Sequence, residues 1–85
     1  MAKSVARLLS SLDGAPELKQ FLEVFFTDNE RQMLAERLTI FSELRKGGTQ
    51  REIAAKVGCS VVTVTRGAKA YRKYAKQIDR WLDLA

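Results

Sequence analysis

Basic side chains cluster in one stretch of this chain. Between Arg45 and Lys76 there are nine Lys or Arg and one acidic residue, Glu52, a local net charge of +8. The whole chain carries +5, so the remaining residues carry −3. A positive field confined to one part of a fold favours an anionic partner, such as nucleic acid or a lipid head group. A lipid surface is disfavoured, because Gly58 and Gly67 interrupt the segment and leave no long basic amphipathic helix.

Small and apolar residues within this stretch have the spacing of a helix-turn-helix. Such a unit needs a small residue where its two helices cross and a residue that tolerates positive φ at the turn. Ala54 meets the first need and Gly58, four positions later, meets the second. The apolar contacts expected to hold the two helices together are Ile53, Val57, Cys59 and Val64. We expect Cys59 to act as a small buried apolar residue and not as a redox switch.

The second helix of the unit, beginning near Ser60, would present its first residues to base edges in the major groove. The predicted base-reading residues are Val61, Val62 and Thr65, with Ser60 at the helix start. Their methyl groups suit the thymine methyl, and the Thr65 hydroxyl can reach a base edge. The predicted phosphate contacts are Gln50, Arg51, Lys56, Lys69 and Arg72. The alternative interpretation is a structural helical hairpin with a solvated basic face.

Helical periodicity extends along the rest of the chain, and no segment alternates as a strand would. Capping boxes at residues 27–30 and 49–52 predict two helix starts, and Gly47-Gly48 ends the helix between them. That helix has the widest apolar stripe, so we expect it to be central and heavily packed. The sequence predicts an all-α domain of five to six helices. Its predicted parts are core helices over 1–46, the helix-turn-helix over 49–67 and a C-terminal helix over 68–85.

Several classes of protein are disfavoured by composition. One cysteine and no histidine leave no intrachain disulfide and no plausible transition-metal cluster, which fits a reducing cytoplasm. No apolar run approaches the ~20 residues that span a bilayer, and residues 1–12 lack the continuous apolar core of a secretion signal. Without a histidine, a glycine-rich phosphate loop or a carboxylate pair, no general base or nucleophile can be assigned. We therefore do not expect an enzyme.

Residues 27–70, "TDNERQMLAERLTIFSELRKGGTQREIAAKVGCSVVTVTRGAKA", resemble the bacterial Trp repressor family. The distinctive parts are the Thr-x-x-Glu-Arg opening of the long helix, the internal Arg37, the "TQRE" start of the helix-turn-helix and "TVTRG" at residues 63–67. The resemblance implies an intertwined all-helical homodimer in which the helices of 1–46 from two chains share one core. It also implies double-stranded operator DNA as the partner and a location in the bacterial cytoplasm, at the nucleoid.

The same resemblance implies L-tryptophan as a corepressor, with no other cofactor. The ligand would bind between the central helix and the second helix of the helix-turn-helix. The residues that it assigns to the ligand are Arg37 and Arg66 flanking the indole, Thr27 beside them, Thr63 and Gly67 in the pocket wall, and Val24 and Phe26 of the other subunit through their backbone carbonyls. Arg66 would also pair with the ligand carboxylate. Ala70 stands where the family places a serine hydroxyl against the ligand amino group.

The predicted function is a sequence-specific transcriptional repressor gated by L-tryptophan, and two alternatives stay open. One is a ligand-independent DNA-binding regulator or architectural protein of the same fold. The other is an interaction module whose basic helix docks an acidic protein surface. For the pocket, the alternative interpretation is that Arg37 pairs with Glu36 or other acids on the surface and that Arg66 binds phosphate.

Overall fold

Five α-helices make up residues 2–85, the part of the chain that the structure, a computed structural model, describes. They are α1 (Ala2–Ser10), α2 (Gly14–Phe25), α3 (Asp28–Arg45), α4 (Gln50–Val57) and α5 (Val61–Leu84). No strand occurs between residues 2 and 85, which confirms the predicted all-α fold class. A search of the same residues for a helix long and apolar enough to cross a membrane finds none.

The chain divides into two compact units, Met1–Gln32 and Met33–Ala85, with the boundary inside α3. In the first unit, the capping box that starts α3 is complete. The Thr27 N–H donates to the Glu30 carboxylate at 2.8 Å, and the Thr27 hydroxyl accepts from the Glu30 N–H at 3.1 Å. Hydrogen bonds to the Glu30 carboxylate, first from the Thr27 backbone and then from the Thr27 side chain, hold the pKa of Glu30 below its usual value. The predicted start of the long helix is confirmed.

Arg31 joins the end of α2 to the start of α3. A helix leaves its last carbonyl oxygens without partners inside the helix. Arg31 Nη1 donates to the carbonyl oxygens of Leu22, Glu23 and Phe26 at 3.1, 3.2 and 2.6 Å. Its Nη2 pairs with the Asp28 carboxylate. One guanidinium therefore satisfies the end of one helix while an acid in the first turn of the next holds it in place.

The core of the second unit is formed where α3, α4 and α5 meet. Ile40, Ile53 and Val64 are almost completely buried, and Ala54 lies with them. Leu44, Val57 and Cys59 pack against this cluster and are partly buried. The four apolar contacts predicted for the helix-turn-helix are all in this group, which confirms them. Cys59 is a free thiol, half-buried against the core.

Local hydrogen bonds fix the turn between α4 and α5. Gly58 has φ +82°, and its N–H donates to the Ala54 carbonyl at 2.9 Å. The Ser60 hydroxyl accepts from the Thr63 N–H at 3.2 Å and so caps α5. At the start of α4 the Thr49 hydroxyl accepts from the Glu52 N–H at 3.2 Å and donates to the Glu52 carboxylate at 2.7 Å. The sequence predicted each of these helix boundaries.

Helix α5 continues through Gly67 and bends only at Tyr74, where φ is −124° and ψ is 29°. The sequence indicated a boundary at Gly67, and the packing gives a different reason for this glycine. A Cβ atom added at Gly67 would lie 2.9 Å from Ile40 Cγ2, closer than carbon atoms normally approach. The missing side chain thus lets the backbone of α5 approach α3 within a continuous helix.

Helix α3 is less packed than its apolar stripe predicted. Ile40 is its one buried residue, whereas Met33, Leu34 and Leu38 keep at least half of their surface exposed. The expectation of heavy packing was therefore wrong for the single chain, because α4 and α5 cover only the part of the stripe around Ile40. Helix α2 has no buried residue at all.

We expect Gly67→Ala to destabilise the fold. The added methyl group meets Ile40, and overpacking of this kind costs about 1–3 kcal/mol. Replacing a helical glycine returns about 1 kcal/mol, so the net loss in the free energy of unfolding should be on the order of 1 kcal/mol. Urea denaturation at fixed protein concentration measures it. In an Ile40→Ala background, Gly67→Ala should be neutral or stabilising. If Gly67→Ala alone left the stability unchanged or raised it, the close contact with Ile40 would be contradicted.

Candidate functional site

The first turns of α5 present one exposed face. Val64, Gly67 and Ala68 are buried, and their helical spacing turns Val62 and Thr65 outward. All the predicted contact residues on this helix and its cap are exposed: Ser60, Val61, Val62, Thr65, Lys69 and Arg72. Val62 keeps 60% of its surface exposed although it is apolar and lies beside cations. This face of α5 therefore presents exposed valine methyl groups together with exposed cationic side chains.

A hydrogen bond joins the starts of α4 and α5. The Thr65 hydroxyl lies 2.6 Å from Gln50 Oε1 and 2.9 Å from the Val61 carbonyl oxygen. Gln50 is half-buried and Thr65 is exposed. Two predicted contact residues are therefore coupled before any partner binds, and the Thr65 methyl group remains free of polar contacts.

Glu43 anchors α4 to α3 by binding two cations. Its carboxylate accepts from Lys56 at 2.8 Å and from Lys46 at 3.2 Å, and 14% of its side chain is exposed. The hydrogen bonds from Lys56 and then Lys46 hold the pKa of Glu43 below its usual range. Lys56, a predicted phosphate contact, is thus engaged within the chain.

A second ionic cluster joins the end of α3 to the part of α5 beyond its bend. Arg45 pairs with Asp83 at 2.8 Å and with Asp79 at 3.7 Å. The Tyr71 hydroxyl donates to Asp79 at 2.6 Å, and this bond raises the pKa of Tyr71. The same contacts lower the pKa of Asp83 and raise that of Arg45, chiefly through the hydrogen bond between the two side chains.

The remaining cations of the basic segment are exposed and form no ion pair within residues 2–85. They are Arg51, Arg66, Lys69, Arg72, Lys73 and Lys76. Lys73 lies 5.3 Å from the centroid of the Tyr74 ring, a cation–π distance. Three cations of the segment are neutralised at the joints between helices, and the six others form a positive surface along α4 and α5.

A cavity of about 210 Å³ lies between α3 and α5. Its lining residues are Met33, Glu36, Arg37 and Ile40 of α3 and Thr63 and Gly67 of α5. The structure therefore brings together three of the predicted ligand-binding residues, Arg37, Thr63 and Gly67. The Arg37 guanidinium lies 5.5 Å from the centroid of the Phe41 ring and forms no ion pair within the described chain.

The other predicted ligand residues lie elsewhere. Arg66 is exposed on α5 and is not among the residues that line the cavity. Val24, Phe26 and Thr27 belong to the first unit. There Val24 is exposed, the Phe26 carbonyl accepts from Arg31, and the Thr27 hydroxyl caps α3.

Sequence reasoning did not identify Met33, Glu36 and Ile40 as cavity residues, or Glu43 as the anchor of α4. A signal for the first three was present, because Met33, Glu36, Arg37 and Ile40 follow the spacing i, i+3, i+4 and i+7 that defines one helix face. Once Arg37 is placed in a pocket, the others must lie beside it. Glu43 had no comparable signal, since its partner Lys56 lies on another helix.

An all-helical chain with a capped helix-turn-helix and a cationic outer face belongs to the class of helix-turn-helix proteins. The family model described as "Trp repressor protein" matches residues 2–85, and the chain belongs to this family of transcription regulators. The resemblance of residues 27–70 is thereby confirmed.

Named relatives support the same assignment. The chain is 36% identical over 63 residues to a Trp operon repressor homolog of Xylella fastidiosa (strain M23), covering 73% of this chain and 68% of the relative. It is 34% identical over 76 residues to a Trp operon repressor homolog of Chlamydia trachomatis serovar D, covering 88% and 81%. A homolog of the same name from Aliivibrio fischeri (strain MJ11) is 36% identical over 62 residues, covering 72% and 57%. No solved structure matches the chain significantly.

We expect Glu43→Gln to lower the stability of the fold at neutral pH. We also expect the stability of the variant to fall less than that of wild type when the pH is lowered. The pKa of Glu43 is lowered in the folded state, so its contribution is present above the unfolded-state pKa and is lost as the pH falls through the folded-state pKa. Thermal denaturation between pH 7 and the acid range, measured on both proteins, should show a smaller decrease in Tm for the variant. Glu23→Gln, at an exposed position of α2, is the control. Parallel pH profiles for wild type and Glu43→Gln would contradict the anchoring role.

Proposed function

We propose that this chain is a dimeric, sequence-specific transcriptional repressor whose helix-turn-helix binds operator DNA and whose affinity is gated by L-tryptophan. The observation that carries the proposal is the outer face of α5, where exposed valines adjoin exposed cations that have no ion pair within residues 2–85. The protein would act in the bacterial cytoplasm, at the nucleoid.

The first turns of α5 would lie in the major groove. Val61 and Val62 would contact thymine methyl groups, and Thr65 would add a further methyl or reach a base edge through its hydroxyl. Because the Thr65 hydroxyl donates to Gln50, the Thr65 methyl group is the part of the side chain best placed to contact a thymine methyl group. Ser60, which caps the helix, would place these residues at the groove floor.

Phosphate contacts would come from both helices of the unit. Arg51 lies in the first turn of α4, where the positive end of the helix dipole adds to its charge. Lys69 and Arg72 would bind phosphates flanking α5, and Gln50 would donate through its amide. Lys56 would have to exchange Glu43 for a phosphate, which makes its contact the weakest of the set.

A second copy of the chain would cover the apolar residues that one chain leaves exposed. These are Val5, Leu8, Leu9, Leu18, Val24, Phe25, Met33, Leu34 and Leu38, all on α1, α2 or α3. So many exposed apolar side chains on three consecutive helices are unusual for a monomer of this size. A core shared between two chains accounts for them.

The cavity between α3 and α5 would hold the corepressor. Arg37 would stack on the indole, and Thr63 and Gly67 would line the wall. Arg66 would have to turn inward to meet the ligand carboxylate. Thr27 would lie beside the two arginines, and the carbonyls of Val24 and Phe26 would approach from the other subunit. A ligand in this position would contact both α5 and α3, and so would set the angle at which α5 meets the DNA.

Two features favour the ligand-independent form of the same function as a second candidate. Ala70 lacks the hydroxyl expected to meet the ligand amino group, and the Phe26 carbonyl already accepts from Arg31. Both reduce the number of polar partners for a zwitterionic ligand. Measuring DNA affinity with and without L-tryptophan, as described next, distinguishes the two forms.

DNA binding is tested by fluorescence anisotropy on a duplex selected from a random pool, at several salt concentrations. We expect log affinity to fall with log salt by about 0.9 per phosphate contact, and Arg72→Ala to reduce the slope by about 2 per dimer. Arg7→Ala, with the same charge change on α1, should leave the slope unchanged. L-Tryptophan should raise the affinity of wild type but not that of Arg37→Ala.

A salt-independent affinity would refute phosphate contact and favour the interaction module that docks an acidic protein surface. Strong salt dependence with no response to L-tryptophan would leave the ligand-independent regulator. A response to L-tryptophan that survives in Arg37→Ala would exclude Arg37 from the corepressor site.

Dimerisation is tested by sedimentation equilibrium at micromolar concentration. We expect a species of about twice the 9.6 kDa chain mass. Phe25→Asp should shift it toward the monomer, because a carboxylate would enter an apolar interface without a partner. Lys19→Asp, at an exposed polar position of the same helix, should not. A wild-type protein that sediments as a single chain would contradict the shared core.

A further inference from the structure

Glu36 brings a negative charge to the cavity between α3 and α5. Of the six side chains and backbone positions that line it, Glu36 is the one acid and Arg37 the one cation. The two residues are consecutive on α3, so their side chains leave the helix about 100° apart. The cavity therefore offers an anionic and a cationic group from different directions.

The Glu36 carboxylate has no hydrogen bond or ion pair within residues 2–85, although the residue is half-buried. Partial burial of an ionised carboxylate costs free energy unless a cation or a donor offsets it. Glu43 on the same helix meets this requirement with two lysines. Glu36 has no such partner, and it borders a space large enough for a ligand group.

The polar side chains that line the cavity are those of Glu36, Arg37 and Thr63. An ammonium group entering the cavity needs an acceptor, and a carboxylate is a stronger acceptor for it than a hydroxyl. Glu36 is the charged acceptor that the lining supplies.

We propose that Glu36 binds the ammonium group of an aromatic amino acid in this cavity, so that the site selects ligands that carry a primary ammonium. Arg37 is then left for the aromatic ring or the ligand carboxylate. The inference rests on the proposed function, because it takes this cavity as the corepressor site. It adds a specificity-determining residue and a ligand preference that can be measured without DNA.

The experiment is calorimetric titration of the whole chain with three probes. L-Tryptophan carries both charged groups, tryptamine carries only the ammonium, and indole-3-propionate carries only the carboxylate. Wild type should bind L-tryptophan more tightly than indole-3-propionate. Glu36→Gln should lose on the order of tenfold in affinity for L-tryptophan and tryptamine, as expected for a partly exposed charged hydrogen bond, and nothing for indole-3-propionate.

Two variants guard against indirect effects. Glu36→Asp keeps the charge and should retain part of the preference for ammonium-bearing probes. Glu23→Gln removes a carboxylate from the exposed surface of α2 and should bind all three probes as wild type does. Circular dichroism of each variant establishes that it is folded before titration.

The outcomes separate this inference from the corepressor proposal. Equal losses for all three probes in Glu36→Gln, unchanged binding of all three, or a wild type that binds none of them would overturn the role of Glu36. If Glu36→Gln loses only the ammonium-bearing probes while L-tryptophan leaves the DNA affinity of wild type unchanged, the role of Glu36 stands and gating of DNA binding fails.

Discussion

The close approach of Gly67 to Ile40 sets the distance between α5 and α3, and much of the second unit depends on it. Gly67 has no Cβ, so the α5 backbone can approach α3 closely. A Cβ built on Gly67 would lie 2.9 Å from Ile40 Cγ2. Val64 and Ala68, on the same side of α5, become buried, so the opposite side must face outward. The same approach places Gly67 in the wall of the cavity that Arg37 also lines. One packing contact thus orients the exposed face of α5 and shapes the cavity behind it.

Electrostatic contacts divide the basic segment into two groups. Acids of the second unit neutralise the cations at helix joints, with Glu43 binding Lys46 and Lys56 and the pair Asp79 and Asp83 binding Arg45. The local net charge of +8 therefore overstates the charge available to a partner. The cations without an ion pair within residues 2–85 lie on α4 and α5, and all of them are exposed. Such an arrangement opposes folding slightly and is expected where an anion would neutralise it.

The sequence predicted those parts of the fold that depend on neighbouring residues. Caps at Thr27, Thr49 and Ser60 and the turn at Gly58 are local hydrogen-bond arrangements, and residue types a few positions apart determine them. The role of Gly67 was not predictable in this way, because it depends on a contact with another helix.

Burial and the cavity show a second limit of sequence reasoning. Periodicity identifies the apolar face of α3 but not what covers it, so the heavy packing expected for α3 is not found within the single chain, where Met33 and Leu34 stay exposed. Resemblance to a family placed Arg37 and Thr63 at one site. Glu36 was missed because the family pattern assigns it no role, and an acid within an apolar stripe was read only as a surface partner for Arg37.

The exposed apolar surface of α3 connects dimerisation with the ligand under the proposed function. Met33 lines the cavity and is also among the exposed residues that a second chain would cover. A partner that covers Met33 would close one side of the cavity and remove water from the neighbourhood of Glu36 and Arg37. Charge interactions strengthen as water is excluded, so the cavity of a single chain would bind a zwitterion less tightly than that of the dimer. Ligand affinity and dimer stability would then be linked, because a ligand that binds only the completed cavity stabilises the state in which the cavity is complete.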